Sequence, residues 1–212
     1  MSKNNKHVLI IANGQEPKKP LLEKLVSETD IIIAADGGSN ICFQNSIYPD
    51  FIIGDLDSIN PEVKIHFHDS EIIPRPDQNS SDLEKALEFS KSLNPLQVCV
   101  TAVFGKRSDH SMANLFALQD FAKYFPLEFY DDAGKMSVIS KNNKLNLAKN
   151  TIISLFSFKP VFGVTLAGFE FNLQNKDFPH GFNGLSNKIL FPPAMVQIKS
   201  GSLILYQLYA NH

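Results

Sequence analysis

The apolar positions in the first two thirds of the chain form short runs that alternate with segments of helical spacing. The short runs predict strands at residues 7–12, 30–35, 50–54, 72–73, 97–104 and 127–130. The segments between them predict helices at residues 20–28, 39–46, from Ser81 onward, and at 109–124. Strands that alternate with helices favour a largely parallel sheet covered by helices, which is an α/β fold.

Two of these helices carry further local signals. Ser81 and Glu84 have the spacing of a capping box, in which each side chain satisfies a free backbone amide at the start of a helix. In the helix at 109–124, helical spacing predicts an inward face. That predicted face consists of Met112, Leu115, Phe116 and Ala122.

The pattern changes after about Asp132. Alternating runs at residues 151–158, 163–169, 188–191, 195–199 and 202–209 predict strands, and Gly, Pro and Asn separate them. No helical period appears, so we expect a small all-β domain, a sandwich or a barrel. We place the boundary between Tyr130 and Lys144, with an α/β domain at 1–134 and an all-β domain at 135–212.

Composition narrows the class of protein. The 212 residues carry a net charge of −2, so no overall basic field attracts nucleic acid. No apolar run reaches membrane-spanning length, and the basic start at 1–6 precedes an apolar run too short for a secretory signal. Cys42 and Cys99 lie in apolar surroundings and show no metal spacing. We therefore expect a cytoplasmic protein with no nucleic-acid or membrane partner.

Five polar clusters lie at the ends of predicted strands, and one of them, at residues 77–82, also leads into a helix. They are Asn13-Gly14, Asp36-Gly37-Gly38, residues 54–58, residues 77–82 and residues 105–110. Ligands bind at the carboxyl ends of strands in parallel sheets, so we expect these clusters to share one edge. Neither a P-loop nor a G-x-G-x-x-G fingerprint is present, so any nucleotide is bound by another route.

Acidic residues dominate these clusters. Asp36, Asp55, Asp57, Asp77 and Asp82 would repel one another unless a cation neutralises them, and their oxygens suit Mg²⁺ with a phosphate-bearing substrate. Lys106 and Arg107 could then bind phosphate oxygens, and Gly37 and Gly38 would allow close approach to the backbone. Simpler roles compete: Asp36 and Asp109 could be helix caps, Asp82 a first-turn acid, and His110 a structural residue.

Four ordered motifs resemble the thiamine pyrophosphokinase family: ADGGSN, PDFIIGDLDSI, DQNSSDLEKAL and FGKRSDHSMANL. TLAGFEFNL and GLSNKI in the C-terminal part are similar to the thiamine-side motifs of that family. The resemblance implies an α/β catalytic domain, a C-terminal β-sandwich and a homodimer with the active site at the subunit interface. It implies transfer of the pyrophosphoryl group of ATP to the hydroxyl of thiamine with Mg²⁺, giving thiamine diphosphate and AMP.

The resemblance also implies roles for individual residues. Catalytic residues would be Asp55, Asp57, Asp77, Asp82 and Lys85, with Asp55, Asp57 and Asp77 as metal ligands. ATP-binding residues would be Asp36, Gly37, Gly38, Asn40, Lys106, Arg107, Asp109, His110 and Asn114. Thiamine-binding residues would be Phe171, Ser186 and Asn187. The chain departs from the family pattern at Ser81, Lys106 and Phe171, where the family often has Thr, Gly and, in many eukaryotic members, Trp.

Two other functions fit parts of the sequence. The apolar run before Asp55-Leu56-Asp57 resembles the nucleophile motif of haloacid-dehalogenase-type phosphatases, in which Asp55 would form an aspartyl phosphate. That reading leaves ADGGSN and GKRSDHSMANL without a role. A nucleotide- or vitamin-binding protein without turnover is the second alternative, although binding alone rarely needs so many carboxylates.

Overall fold

The computed structural model describes residues 6–210, and the chain divides into two compact units between Asp132 and Ala133. Residues 1–5, which carry part of the basic start considered above as a leader, lie outside the described residues. Within residues 6–210, no helix has both the length and the apolar character needed to cross a membrane.

The first unit alternates strands and helices. Its strands are β1 His7–Ile11, β2 Ile31–Ala35, β3 Phe51–Gly54, β4 Glu71–Pro74, β5 Gln97–Thr101 and β6 Leu127–Tyr130. Its helices are α1 Lys19–Ser27, α2 Gly38–Gln44, α3 Pro61–His66, α4 Asp82–Ser92 and α5 Ser108–Phe121. The strand order is β6-β5-β1-β2-β3-β4, and each pair of neighbours in it is parallel. All carboxyl ends therefore lie along one edge of this sheet.

The sheet core consists of strand residues that are buried on both faces, as expected for a parallel sheet under helices. Leu9, Ile10 and Ile11 of β1 are fully buried, and Leu22 and Leu25 of α1 pack over the sheet. Burial of this kind contributes roughly 25 cal/mol per Å² of apolar surface removed from water. The central strands are thus rigid supports for the loops that follow them.

Helix α4 begins as predicted. The Ser81 side chain accepts a hydrogen bond from the Glu84 amide at 3.3 Å, and the Glu84 carboxylate accepts one from the Ser81 amide at 2.8 Å. This capping box fixes the position of Asp82, the first residue of the helix. The order of the elements and the start of α4 are both set by local signals in the sequence.

The predicted inward face of α5 is wrong at Met112 and Phe116, whereas Leu115 and Ala122 are half-buried. Met112 is 58% exposed and Phe116 is 42% exposed, whereas Asn114, Ala117 and Leu118 are buried. Apolar residues are spread around this helix, so helical spacing alone does not single out one face. Tertiary packing determines which face of the helix is buried. That face includes a polar residue, Asn114.

The second unit is all β. Its strands are β7 Gly134–Ile139, β8 Asn143–Leu145, β9 Ile152–Ser157, β10 Val161–Ala167, β11 Leu173–Phe178, β12 Phe182–Lys188, β13 Ala194–Gln197 and β14 Leu203–Leu208. One set of strands has the order β12-β9-β14-β7 and the other β11-β10-β13-β8, with antiparallel pairing in both. Leu155, Val164, Val196 and Leu205 share one core between the two sets. The predicted α/β fold followed by an all-β sandwich is confirmed.

Several element boundaries differ from the sequence predictions. The predicted strand at 188–191 is wrong, because the strand in this region is β12, and β11 had no predicted counterpart. Both are edge strands of their sheets, and neither has a repeating buried apolar position. Helix α3 was also missed, since Val63 is its only buried residue.

Candidate active site

The ends of β2 and β3 bring three carboxylates together. Asp36 follows β2, and its backbone amide donates to the Ile53 carbonyl in β3 at 2.8 Å. Asp55 and Asp57 follow β3, and one carboxylate oxygen from each of the three aspartates lies within 4.8 Å of the other two. Gly54 makes this approach possible, because a Cβ atom there would lie 2.7 Å from the Asp36 Cβ. We call Asp36, Asp55 and Asp57 the acidic triad.

Asp36 is the innermost member of the triad. It is 1% exposed, and neither carboxylate oxygen has a hydrogen-bond partner among the described residues. Its φ angle of 44° lies in the left-handed region, which an Asp adopts at a cost. Burial raises the pKa of Asp36, the nearby polar groups of Ser58 and Gly37 partly offset this effect, and the charges of Asp82 and Asp55 add to it. A buried carboxylate without donors is a group that a cation would satisfy.

Asp55 has the opposite electrostatic surroundings. The Asp57 amide donates to its carboxylate at 3.3 Å and the Gln78 side chain donates at 3.2 Å. These hydrogen bonds, together with the Lys85 ammonium, lower the pKa of Asp55. The triad therefore combines one readily ionised carboxylate with one whose charge is poorly solvated, and a divalent cation would stabilise both as anions.

Asp82 and Lys85 lie next to the triad at the start of α4. The Lys85 ammonium donates to the Asp82 carboxylate at 3.0 Å, and Lys85 is 7% exposed. Burial of a lysine requires a charged partner, which Asp82 provides here. The Asp82 side chain thus forms an ion pair with Lys85, and its negative charge contributes to the raised pKa of Asp36.

Asp77 stands apart from the triad. Its exposed carboxylate accepts hydrogen bonds from the Asn79 amide at 3.1 Å, the Asn79 side chain at 2.7 Å and the Ser80 hydroxyl at 2.9 Å. These bonds, the Asn79 amide first, lower the pKa of Asp77. In this structure Asp77 orders the loop before α4, and its predicted role as a metal ligand stays a prediction.

A cleft of about 240 Å³ opens beside Asp82. It lies between the loops that follow β1 and β5 and the first turns of α4 and α5. Its lining residues include Asn13, Gly14, Ser58, Ser81, Asp82, Lys106, Arg107, His110, Ser111 and Asn114. The lining thus combines two cationic side chains, Lys106 and Arg107, and the Asp82 carboxylate with apolar residues such as Leu83 and Phe104.

Arg107 and Lys106 carry the positive charge of the cleft wall. The Arg107 Nε and Nη2 atoms donate to the two oxygens of Asp109 at 3.1 and 2.6 Å. This bidentate pair lowers the pKa of Asp109 to about 2, so the pair persists at neutral pH. The Lys106 ammonium donates to the Asn13 side-chain oxygen at 3.1 Å. Both cations are exposed and lie within reach of an anion in the cleft.

Two predicted ATP-binding asparagines hold loops in place. The Asn114 side chain is buried and donates to the Val103 carbonyl at 2.7 Å, which fixes the loop after β5. The Asn40 side chain donates to the Ser58 carbonyl at 2.9 Å, which fixes the loop after β3. Each therefore positions a segment that carries other candidate residues.

Gly37 and Gly38 pack closely against the loop after β1. A Cβ atom at Gly38 would lie 2.0 Å from the Ile11 carbonyl oxygen, and one at Gly37 would lie 2.2 Å from the Asn13 side chain. Protein packing therefore requires glycine at both positions, whether or not a ligand also approaches them. His110, a predicted ATP-binding residue, lines the cleft, and Ser58 and Ser111 line it without having been predicted individually.

Asn13 was also absent from the predicted site residues, although it lines the cleft and holds Lys106. Its signal in the sequence was its place directly after β1, where a polar residue at the end of a parallel strand indicates a ligand site. Ser58 belongs to the polar cluster 54–58 but was not singled out within it, and Ser111 lies within α5, where no sequence pattern marked it.

The predicted thiamine-side residues lie in the second unit. Phe171 is 66% exposed, Ser186 is exposed with a φ angle of 53°, and Asn187 is buried at 6% exposure. The exposed pair can reach a ligand directly. Asn187 instead points its side chain to the backbone of Phe171.

Asp36→Asn is expected to stabilise the metal-free protein by about 1 kcal/mol at neutral pH. Asn removes the uncompensated buried charge and tolerates the left-handed backbone. Burial raises the pKa of Asp36 above 3.8, so its destabilising effect is absent below that pH and grows as the pH rises through the folded-state pKa. The stability gain should therefore fade towards pH 3, which urea denaturation at several pH values would measure.

The exposed Asp69→Asn variant is the matched control and should leave the free energy of unfolding nearly unchanged. Mg²⁺ should raise the melting temperature of the wild type and of Asp69→Asn, and raise that of Asp36→Asn far less. A metal-free Asp36→Asn protein that is less stable than the wild type at pH 7 would contradict this account of the triad.

Comparison with known proteins places this geometry in a family. The profile described as "Thiamin pyrophosphokinase, catalytic domain" matches residues 22–127, which contain the acidic triad, Asp82, Lys85 and the loop after β5. Thiamine pyrophosphokinase 3 from Oryza sativa subsp. japonica is 26% identical, over 97% of this chain and 88% of that protein. Thiamine pyrophosphokinase from Bacillus subtilis (strain 168) is 23% identical, over 94% of this chain and 97% of that protein.

Solved structures agree on the fold. Thiamin pyrophosphokinase from Candida albicans has a TM-score of 0.82 at 19% identity, covering 96% of this chain and 89% of that one. The Bacillus subtilis enzyme has a TM-score of 0.79 at 21% identity, covering 96% of this chain and 99% of that one. The profile covers half of the chain, and the motifs it matches carry the candidate site. The chain therefore belongs to the thiamine pyrophosphokinase family of enzymes.

Proposed function

We propose that the protein transfers the pyrophosphoryl group of ATP to the hydroxyl of thiamine, giving thiamine diphosphate and AMP. The observation that carries this proposal is the acidic triad, whose innermost carboxylate, Asp36, is buried without a hydrogen-bond donor beside a cationic cleft. A divalent cation would neutralise the three carboxylates of the triad. The triphosphate that it accompanies would neutralise Lys106 and Arg107 at the cleft wall.

Mg²⁺ is the proposed cofactor, held by Asp36, Asp55 and Asp57. The donor set fits it, because all three ligands are hard carboxylate oxygens and their atoms already lie within 4.8 Å of one another. The ion would neutralise phosphate charge as it develops during transfer. Asp77 is left to order the loop that carries Gln78, which in turn donates to Asp55.

The nucleotide is proposed to occupy the cleft beside α4 and α5. Arg107 presents a planar guanidinium that matches phosphate oxygens, and Asp109 fixes its orientation through two hydrogen bonds. Lys106 adds a second positive charge that Asn13 holds at the wall. Gly37, Gly38 and Asn40 shape the backbone on the β2 side, and His110 and Asn114 shape the α5 side.

The proposed reaction is an in-line displacement at the β-phosphorus. The thiamine hydroxyl oxygen forms a bond to this phosphorus while its bond to the oxygen shared with the α-phosphorus breaks, and AMP leaves with that electron pair. The hydroxyl proton passes to a carboxylate. Of the two candidates, Asp82 and Asp57, Asp82 lines the cleft, which supports it as the acceptor.

Thiamine is proposed to contact Phe171 and Ser186, the two exposed members of the second-unit set. The Phe171 ring offers an apolar surface on which a heteroaromatic ring can stack. A homodimer with the active site at the subunit interface is part of the proposal, and sedimentation analysis would test the dimer. A cytoplasmic location stays a prediction from the cysteine usage of the sequence.

Product analysis tests the proposed function. The protein is incubated with ATP, Mg²⁺ and thiamine, and AMP and thiamine diphosphate are quantified together. Equal amounts of both products, lost in Asp55→Asn, are expected. ADP or free phosphate without thiamine diphosphate would overturn the proposal in favour of a phosphatase, and binding of both substrates without products would favour a non-catalytic binding protein.

A further inference from the structure

An exposed aromatic residue in the second unit, Phe171, lies on a segment that hydrogen bonds and core packing hold in place. Phe171 is 66% exposed, yet its neighbour Phe169 is 1% exposed and belongs to the sandwich core. The Glu170 amide donates to the Lys188 carbonyl at 2.8 Å, and the Phe169 amide donates to the Asn172 side chain at 3.1 Å. The segment 169–172 is thus tied both to the core and to the end of β12.

Asn187 completes this attachment at Phe171 itself. The Asn187 side-chain oxygen accepts the Phe171 amide at 3.0 Å, and its Nδ2 atom donates to the Phe171 carbonyl at 2.8 Å. The same oxygen accepts the Lys188 amide at 2.9 Å. One buried amide group therefore satisfies both backbone groups of a single exposed residue, in the manner of a neighbouring β-strand.

A bulge in β12 turns Asn187 towards this segment. The register between β12 and β9 shifts between Gly184 and Asn187, and Ser186 has a φ angle of 53°. The Ser186 amide donates to the buried Ser154 hydroxyl at 3.0 Å, which holds the bulge in place. Bulges of this kind re-aim side chains, often beside functional sites. Here the bulge leaves Ser186 exposed and buries Asn187 beneath Phe171.

The chemistry of the contact is specific to Asn at this position. Asp offers the oxygen acceptor but has no donor for the Phe171 carbonyl, and Ala offers neither group. An exposed backbone segment without such ties samples many conformations, and ordering it on binding costs free energy. A segment that is already ordered presents its aromatic ring to a ligand without that cost.

We propose that Asn187 is a positioning residue that clamps the backbone of Phe171 and so pre-orders its ring for stacking against the heteroaromatic substrate. Asn187 does not contact the substrate; it acts through Phe171. The identity of the substrate as thiamine rests on the proposed function, whereas the clamp itself is a property of the free protein.

The chain contains no Trp, so Phe171→Trp introduces a single fluorescent reporter at the clamped position. In this background, Asn187→Ala is expected to increase the amplitude of nanosecond motion of the indole about twofold, measured by time-resolved anisotropy without ligand. Gln174→Ala, which removes an exposed amide on neighbouring β11, is the matched control and should leave the anisotropy unchanged. An indole equally ordered in Asn187→Ala and in the control overturns the clamp.

A second variant keeps the test valid if Asn187→Ala folds poorly. Asn187→Asp retains the acceptor for the Phe171 amide and replaces the donor to its carbonyl with a second oxygen that repels it, so an indole more mobile than in the parent is expected. Circular dichroism and thermal melting verify that each variant is folded. A folded Asn187→Asp protein with the anisotropy of the parent would also overturn the clamp.

Substrate binding provides the third readout. Asn187→Ala in the natural Phe171 background is expected to raise the KM for thiamine about tenfold while the KM for ATP changes less than about twofold. Equal changes in both KM values would indicate a general structural role and overturn the positioning role. If the wild type neither binds thiamine nor turns it over, the proposed function fails, and the ligand-free anisotropy still decides whether the clamp exists.

Discussion

Asp55→Asn is expected to lower the rate of thiamine diphosphate formation roughly a thousandfold or more, with little loss of stability. Asp55 is the member of the triad whose surroundings favour its ionised form, through the Asp57 amide, Gln78 and Lys85. Asn is nearly isosteric but carries no charge, so the proposed Mg²⁺ would lose one of three anionic ligands. Steady-state assays across a range of Mg²⁺ concentrations would measure the effect, and the apparent Mg²⁺ affinity should fall as well.

The control for this prediction is Asp69→Asn, which removes an exposed carboxylate outside the triad. It should retain nearly full activity and the wild-type Mg²⁺ dependence. Asp57→Asn should behave like Asp55→Asn, because both acids belong to the triad. An Asp55→Asn enzyme with more than a tenth of the wild-type rate would show that the triad does not hold the essential metal.

Arg107→Ala is expected to lower kcat/KM about a hundredfold to a thousandfold. Arg107 lines the cleft, and Asp109 holds its guanidinium through two hydrogen bonds at 3.1 and 2.6 Å. Arg107→Lys keeps the charge but loses the planar pair of donors, so an intermediate loss is expected. Kinetics with ATP and thiamine varied separately would locate the effect, which should fall on ATP use and on kcat.

Asp109→Asn tests whether Asp109 works through Arg107. It weakens the bidentate pair, so we expect a loss of activity in the wild-type background and almost no further loss when Arg107 is already Ala. Lys24→Ala, which removes an exposed cation of α1, is the control for a loss of positive charge in general. Additive losses from Arg107→Ala and Asp109→Asn would contradict the positioning role of Asp109.

The sequence predicted that the site lies at the carboxyl ends of the strands, because strand ends follow from local patterns and ligands bind at that edge of a parallel sheet. The sequence placed five acids, Asp36 among them, at this edge. It did not predict which of them meet, since the contact of Asp36 with Asp55 and Asp57 depends on the register of β2 against β3 and on the close approach at Gly54.

Features that tertiary packing decides were harder to predict. The buried face of α5 includes Asn114, whose amide is satisfied by the Val103 carbonyl, a partner that no helical period reveals. The edge strands β11 and β12 lack a buried repeat, and the role of Asn187 depends on a bulge at Ser186. Residue types at a site were thus predictable, whereas the division between ligand-facing and positioning residues required the structure.

Transfer of label from ATP tests the central claim most directly. The enzyme is given thiamine, Mg²⁺ and ATP labelled with ³²P at the β-phosphorus, and the labelled products are separated. Attack of the thiamine hydroxyl at that phosphorus predicts label in thiamine diphosphate and none in AMP, with no label retained by the protein. Label in ADP, in inorganic phosphate or bound covalently to the protein at Asp55 would contradict pyrophosphoryl transfer.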